Sequence, residues 1–115
     1  MARSERLIGP SDALADGGAG LRFEVHRAGQ PLPAFAVRFR GVVRAYVNEC
    51  RHQCTELDWN PGEFFDAERL YLVCATHGAL YEPDSGLCVD GPCRGARLAP
   101  VAVRERDGAI YCSEE

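Results

Sequence analysis

Short stretches of alternating apolar and polar residues run along most of the chain. Leu21 to Val25 alternates in this way, which predicts a strand with one buried face. Arg40-Gly41 and Asp107-Gly108 each lie between two apolar stretches, where such dipeptides favour tight hairpin turns. The chain therefore predicts many short strands joined by turns; the predicted strands are residues 21–25, 35–39, 42–47, 70–73, 87–89, 101–104 and 109–112.

Three other segments carry weaker signals. Residues 1–20 are predicted to be a flexible lead-in that ends in a glycine-rich turn, and residues 30–33 to be a connector with two prolines. Residues 63–69 are predicted to form a short helix anchored by Phe64 and Phe65. No long amphipathic helix or internal repeat is seen, so the predicted fold class is all-β, with an antiparallel β-sandwich or partly open barrel as its base.

Length and charge narrow the class of protein. A chain of 115 residues is expected to form one domain. Its formal net charge of -4 argues against a nucleic-acid partner. Residues 1–44 carry seven Arg and four acidic residues, whereas residues 45–115 carry six Arg and thirteen acidic residues. The acidic second part indicates either a solvated surface or a surface that meets a partner's basic face.

The first ten residues carry charges where a secretory leader would be apolar. The longest apolar run, residues 70–75, is too short to span a membrane. We therefore expect no membrane association and a cytoplasmic location. In that compartment Cys54, Cys88, Cys93 and Cys112 are expected to be reduced thiols, with a Cys88–Cys93 disulfide as the alternative.

Two short motifs combine cysteine with histidine. Cys50-Arg51-His52 is one, Cys74-Ala75-Thr76-His77 is the other, and 21 residues separate them. The third histidine, His26, follows a predicted strand and is interpreted as a surface residue. Two thiolates and two imidazoles suit tetrahedral zinc or an iron–sulfur centre. The Cys-x-His spacing is tighter than that of most zinc sites, which favours the iron–sulfur centre.

The two motifs and the residues after them resemble those of Rieske-type [2Fe–2S] proteins. The resemblance covers residues 77–86 as the second cluster loop, Gly91-Pro92 as the third, and residues 98–103 as the strand that returns to the base. It spans about residues 20–112. It implies that Cys50 and Cys74 bind one iron of a [2Fe–2S] cluster, and that His52 and His77 bind the other. It also implies a smaller cluster-binding lobe over about residues 48–93.

The same resemblance assigns three further residues to the surroundings of the cluster. Gly78 would allow a tight turn after His77, Pro92 would cover the cluster, and Tyr81 would donate its hydroxyl to a ligand sulfur. The alternative for Tyr81 is a packed aromatic residue in the core.

This sequence departs from the family pattern at several positions. The segment between the two motifs is a few residues longer than usual, and Ala79 replaces the Ser of high-potential members. The second cysteine pair of the respiratory members is missing, because Thr76 occupies the position where a partner for Cys54 would lie.

Three functions are compatible with these features. The first is a ferredoxin-like carrier that passes one electron from a reductase to an oxygenase or another redox enzyme, with no catalysis of its own. The second is a small subunit of a larger redox enzyme such as nitrite reductase. The third is a zinc-stabilised interaction module. The length leaves no space for a second, mononuclear-iron domain, so we do not expect an oxygenase.

Overall fold

The structure is a computed structural model that describes residues 4–27, 29–49, 57–58, 62–74, 78–91 and 94–114. These residues form three antiparallel sheets of three strands each. We call them the terminal sheet (order β1-β9-β8), the central sheet (β2-β3-β4) and the small sheet (β5-β6-β7). The strands are β1 Ser4–Pro10, β2 Leu21–Arg27, β3 Gln30–Phe39, β4 Val42–Val47, β5 Leu72–Val73, β6 Leu80–Tyr81, β7 Cys88–Asp90, β8 Val103–Arg106 and β9 Ala109–Glu114.

The central sheet is the middle layer of the molecule. Strand β3 is buried on both faces because residues 34–37 are an uninterrupted apolar run. Phe35 and Val37 face a core shared with the small sheet, whereas Ala34 and Ala36 face a core shared with the terminal sheet. The predicted all-β class is confirmed, and among the described residues the one helical segment is a single 3₁₀ turn at Ser11–Ala13. The described part of the chain has no helix long and apolar enough to cross a membrane.

Both predicted hairpin turns are present. Arg40 and Gly41 have φ values of 52° and 81°, which is the pair of positive angles that a two-residue type I′ turn requires. Asp107 and Gly108 repeat this geometry between β8 and β9. The turn residues therefore set the register of two of the three sheets, as the sequence predicted.

Residues 30–33 form the start of β3 and are not the predicted connector. Pro31 and Pro33 pair with His26 and Glu24 of β2, whereas the pairing between β3 and β4 begins only at Ala34. The Pro33 carbonyl accepts from the Asn48 N–H just beyond β4, so the proline nitrogens face that side and not β2. The strand therefore tolerates both prolines, since no hydrogen bond to β2 is lost.

Part of the predicted lead-in is also a strand. Ser4–Pro10 forms β1 and pairs with β9 at the opposite end of the chain. The turn at residues 16–20 is held by the Gly17 N–H, which donates to the Arg38 carbonyl, and by the Gly20 N–H, which donates to the Gly62 carbonyl. Because all of these partners are distant in sequence, a local pattern did not reveal them.

The predicted helix over residues 63–69 is wrong. Phe65 forms an antiparallel bridge with Leu72, as in an extended segment. Phe64 stacks on Phe35 at a ring-centroid distance of 4.0 Å, and the Phe65 ring lies 6.1 Å from that of Phe39. The Val73 N–H donates to the Phe64 carbonyl across a tight turn. In that turn Asp66 accepts hydrogen bonds from the Leu70 and Tyr71 N–H groups, at 2.9 and 3.3 Å. Leu70 is exposed, and the predicted strand over residues 70–73 is confined to Leu72–Val73.

Candidate metal centre

The second predicted ligand loop leaves β5 at Cys74, whose side chain is fully buried. The Cys74 N–H donates to the Ala79 carbonyl (2.9 Å), and the Gly78 N–H donates to the Cys74 carbonyl (2.7 Å). Both ends of the loop are therefore joined through the backbone of Cys74 itself. His77 lies outside the described residues. Gly78 follows with a φ of 73° and is exposed to solvent.

Tyr81 lies beneath this loop. The pairing of Leu72 with Tyr81 and of Val73 with Leu80 continues the ladder directly into Cys74 and Ala79. Tyr81 is fully buried and belongs to the same core as Cys74 and Ala79. It is therefore a core aromatic residue on the same face of the β5–β6 hairpin as the Cys74 side chain. Its hydrogen bond to a ligand sulfur stays a prediction.

The third predicted loop follows β7. The Gly95 N–H donates to the Cys88 carbonyl (3.0 Å), and the Cys88 N–H donates to the Ala96 carbonyl (2.8 Å), so the loop is closed at its base. The Cys88 thiol is buried and donates to the Asp90 carbonyl at 3.2 Å. Pro92 and Cys93 lie outside the described residues, so the role of Pro92 and a Cys88–Cys93 disulfide stay untested.

The first predicted loop begins after Asn48 at the end of β4. The Asn48 side-chain oxygen accepts a hydrogen bond from the Leu57 N–H at 2.8 Å, which joins the two ends of residues 49–57. Cys50 and His52 of this segment, together with Cys54, lie outside the described residues. Trp59, in the segment that follows, does so too.

The bases of the three loops converge on one core. Leu57, Cys74, Ala79, Tyr81 and Cys88 are all members of the apolar cluster between the central and small sheets. The four predicted ligands belong, by sequence, to two of these loops, and the residues at the ends of the loops meet in this apolar core. A buried cysteine at the base of a backbone-closed loop, with a second Cys and two His on the converging loops, is a donor set that fits a [2Fe–2S] cluster.

The small sheet, which carries Cys74 at the end of β5, is also tied to the central sheet. The Tyr46 hydroxyl, on β4, donates to the Pro83 carbonyl in the turn after β6 at 2.8 Å. Burial raises the pKa of Tyr46 to about 12, so the phenol keeps its proton and this bond persists through the neutral range. The bond joins the small sheet to the same strand that leads into the first ligand loop.

Three residues outside the motifs remain, one that the sequence predicted and two that it did not. His26 is half-exposed and lies 3.8 Å from Glu24, which confirms it as a surface residue. Asn48 and Asp58 are buried polar residues beside the first loop that the sequence patterns did not single out. Their only sequence signal is that Asn48 precedes Cys50 by two positions, and burial of a polar residue is not readable from local pattern.

An all-β fold of this layout, with a paired Cys/His motif on converging loops, defines a small iron–sulfur domain. The chain belongs to the Rieske [2Fe–2S] domain family, whose model matches residues 6–105. The predicted fold and the predicted cofactor, a [2Fe–2S] cluster, are those of this family and are confirmed.

Solved structures are similar over nearly the whole chain. The ferredoxin of carbazole 1,9a-dioxygenase from Nocardioides aromaticivorans IC177 is 21% identical, with a TM-score of 0.73, over 97% of this chain and 99% of that one. A chain in the complex of reduced oxygenase and oxidized ferredoxin in carbazole 1,9a-dioxygenase is 19% identical, with a TM-score of 0.73, over 96% of this chain and 94% of that one.

The likeness extends to part of a larger protein. The terminal oxygenase of carbazole 1,9a-dioxygenase from Novosphingobium sp. KA1 is 23% identical, with a TM-score of 0.72, over 94% of this chain but only 29% of that one. At such identities these structures establish a common fold. No curated protein matches the chain significantly in sequence.

Proposed function

We propose that the protein is a one-electron carrier whose [2Fe–2S] cluster is bound by Cys50 and Cys74 on one iron and by His52 and His77 on the other. The observation that carries the proposal is the position of Cys74, fully buried at the base of a loop that its own backbone closes. The Rieske family match supports the cluster over zinc, and it supports a single Rieske domain with its ligand lobe over about residues 48–93.

When bound, a [2Fe–2S] cluster takes up and gives back one electron. Neutral imidazoles in place of two thiolates remove negative charge from one iron, so the reduction potential is higher than with four thiolates, within about -150 to +300 mV. The protein's own contribution is to hold the ligand loops and to shield them on one side. Cys74 is sealed in the core, whereas Gly78 and Gly91 are exposed on the two neighbouring loops. Electrons would therefore leave from this exposed side.

We infer that the electron donor is a reductase and that the acceptor is an oxygenase or another redox enzyme. The end-to-end likeness to the ferredoxin of carbazole 1,9a-dioxygenase supports a carrier of this kind. The acidic balance of residues 45–115 supports partners with a basic docking face. We place the protein in the cytoplasm, with which the buried thiol of Cys112 is consistent.

The experiment is a metal and redox analysis of the purified protein. Iron, acid-labile sulfide and zinc are measured per chain, followed by a reductive titration. We expect two irons, two sulfides and one electron per chain. Stoichiometric zinc after anaerobic reconstitution with iron and sulfide would overturn the cluster, and uptake of two or more electrons would overturn the one-electron carrier.

A transfer assay then separates a carrier from a fixed enzyme subunit. The reduced protein is mixed with an oxidised Rieske oxygenase, and its reoxidation is followed by absorbance against salt concentration. A freely diffusing acidic carrier should react more slowly as salt rises. Co-purification in a stable, salt-resistant complex with a larger redox enzyme would instead identify a subunit.

A further inference from the structure

Two buried polar side chains lie at the two ends of the first ligand loop. Among the residues that the structure describes, the buried polar or charged ones are Asn48 and Asp58, which are 1% and 6% exposed. Asn48 comes directly after β4, and Asp58 follows the loop. Burying an amide and a carboxylate is costly unless their hydrogen-bonding groups are satisfied, so their arrangement requires a specific reason.

The two side chains satisfy each other and the loop ends. The Asn48 amide nitrogen donates to Asp58 Oδ1 at 2.9 Å, while the Asn48 oxygen accepts from the Leu57 N–H at 2.8 Å. Asp58 Oδ2 accepts from the Gly62 N–H at 2.9 Å and lies 3.3 Å from Arg22 Nε. Both carboxylate oxygens of Asp58 are therefore occupied by donors, and both ends of the Asn48 amide are used.

The pair is anchored to the rest of the protein on both sides. The Asn48 N–H donates to the Pro33 carbonyl of β3 at 2.8 Å, and the Gly62 carbonyl accepts from the Gly20 N–H at 2.8 Å. Arg22 belongs to β2. The beginning and the end of residues 49–57 are thus held at a fixed separation against the central sheet. Cys50 and His52, which supply half of the proposed ligand set, lie within that segment.

We propose that Asn48 and Asp58 are positioning residues for the cluster: their buried pair fixes the ends of the first ligand loop and so places Cys50 and His52 for binding. This inference rests on the ligand assignment of the proposed function. It differs from a general stabilising role, because the hydrogen bonds join residues only nine and ten positions apart on either side of the loop. Their loss should act on the first loop and leave the second unchanged.

Asp58→Asn is the sharpest substitution, because it changes one oxygen into an NH₂ group at nearly constant shape. Asp58 Oδ1 faces the amide nitrogen of Asn48, and Oδ2 faces the Gly62 N–H. Either orientation of the new amide therefore places a donor against a donor.

The exchanged double variant, Asn48→Asp with Asp58→Asn, restores the hydrogen bond with its direction reversed. The new carboxylate at position 48 would accept from the Leu57 N–H and from the new amide at position 58. The oxygen of that amide would in turn accept from the Gly62 N–H. The Leu57 and Gly62 N–H groups would thus both face acceptors again.

Asp66→Asn is a matched control in the same inter-motif segment. Asp66 also accepts backbone hydrogen bonds in a turn, from Leu70 and Tyr71, but it lies on no ligand loop. Each variant is reconstituted, and two quantities are measured: the rate of cluster loss to a chelator, and the nitrogen couplings of the two ligating imidazoles by pulsed EPR. Thermal unfolding of each variant reports its global stability.

We expect Asp58→Asn to lose its cluster about 10–100 times faster than the wild type, the range usual for residues that orient metal ligands. One imidazole coupling, that of His52, should change while the other is kept, and the exchanged double variant should recover most of both signals. Asp66→Asn should keep both couplings and the wild-type rate of cluster loss, even where it lowers the unfolding temperature.

Equal rates of cluster loss and unchanged couplings in Asp58→Asn would overturn the positioning role, as would equal effects of Asp58→Asn and Asp66→Asn. Where Asp58→Asn does not fold, the exchanged double variant and Asn48→Ala decide the question with the same readouts. Failure of the proposed function itself is distinguishable, because the wild-type protein would then bind no [2Fe–2S] cluster at all.

Discussion

Gly91 lies directly against the backbone of Ala79. A β-carbon placed on Gly91 would come 2.8 Å from the Ala79 Cα, which is closer than real side chains pack, and 3.2 Å from its Cβ. Gly91 also has a φ of 103°, in a region that residues with a side chain rarely adopt. The third loop therefore rests on the second at the residue that closes the Cys74 hydrogen bond, and this contact depends on the absence of a side chain.

Gly91→Ala should loosen the packing of the third loop on the second. The alanine has to move the Ala79 backbone, and we expect about 2–3 kcal/mol lower stability of the cluster-bound protein, combining backbone strain with overpacking. Gly95→Ala is the control, since Gly95 has a similar φ of 93° but no atom within 4 Å of an added β-carbon. Denaturant unfolding of both variants checks this. Equal losses would show that the contact with Ala79 contributes nothing.

The cysteines should divide into ligands and non-ligands. We expect Cys74→Ser and Cys50→Ser to abolish the visible spectrum of the cluster, because serine is a poor ligand for the soft iron–sulfur centre. Cys112→Ser is the control for burial, since Cys112 is as deeply buried as Cys74 but lies in the other core. It should lower stability and keep the spectrum. Cys54→Ser should also keep the spectrum, and its loss would mean that the ligand assignment is wrong.

The sequence predicted those features that depend on adjacent residues and missed those that depend on distant ones. The hairpin turn at Arg40-Gly41 and the paired Cys/His motif are read from adjacent residues, and the turn and the family were both predicted correctly. Strand β1 was missed because it is stabilised by pairing with β9, at the opposite end of the chain. The helix predicted around Phe64 and Phe65 is wrong because their partners are distant in sequence: the two rings pack on Phe35 and Phe39 of β3.

The same reason explains what was missed at the site. Asn48 and Asp58 are ordinary polar residues in sequence, and only their burial and mutual hydrogen bond make them part of the ligand loop. The unusual length of the inter-motif segment was visible, but its explanation was not. Within this segment the structure shows a tight turn in which Asp66 accepts from the Leu70 N–H, and it shows Phe64 stacked on Phe35 in the core.

A partly exposed ion pair joins the terminal and central sheets. Arg38 of β3 donates to Glu105 of β8 through both terminal nitrogens, at 3.0 and 2.6 Å, and its Nε donates to the Leu14 carbonyl at 2.8 Å. The hydrogen bonds from Arg38 lower the pKa of Glu105 to about 2, from an ordinary value of 4.5. Because the folded-state pKa is depressed, the pair stabilises the protein above pH 4.5 and loses this contribution as the pH falls toward 2.

The Glu105→Gln variant should therefore be less stable than the wild type at neutral pH. Its stability should also fall less steeply as the pH decreases toward 2. The Glu105 side chain is 32% exposed, so solvent screening reduces the expected loss to about 1–2 kcal/mol at pH 7. Comparison of wild type and variant by denaturant unfolding from pH 7 to pH 2 removes the contribution of cluster loss, which both share. Glu5→Gln is the control, because Glu5 contacts Arg106 and Arg104 only at 3.3 and 3.7 Å. A difference between wild type and Glu105→Gln that does not shrink below pH 4.5 would contradict the assignment.

The last prediction concerns the reduction potential. Ala79 and Tyr81 lie on the same hairpin as Cys74 and are both fully buried, so a hydroxyl at either position is shielded from water. A donor that points at a cluster sulfur stabilises the electron-rich reduced form more than the oxidised form. One hydrogen bond of about 1–1.4 kcal/mol corresponds to about 40–60 mV for a one-electron couple.

Tyr81→Phe should lower the midpoint potential by about this amount, because it removes the predicted donor at constant shape. Ala79→Ser should raise it by a similar amount, and the double variant should show the sum if the two donors act on different sulfurs. Protein-film voltammetry of the three variants measures these shifts, with Cys112→Ser as a buried substitution in the other core that should leave the potential unchanged. An unchanged potential in Tyr81→Phe, with the cluster intact, would show that Tyr81 only fills the core.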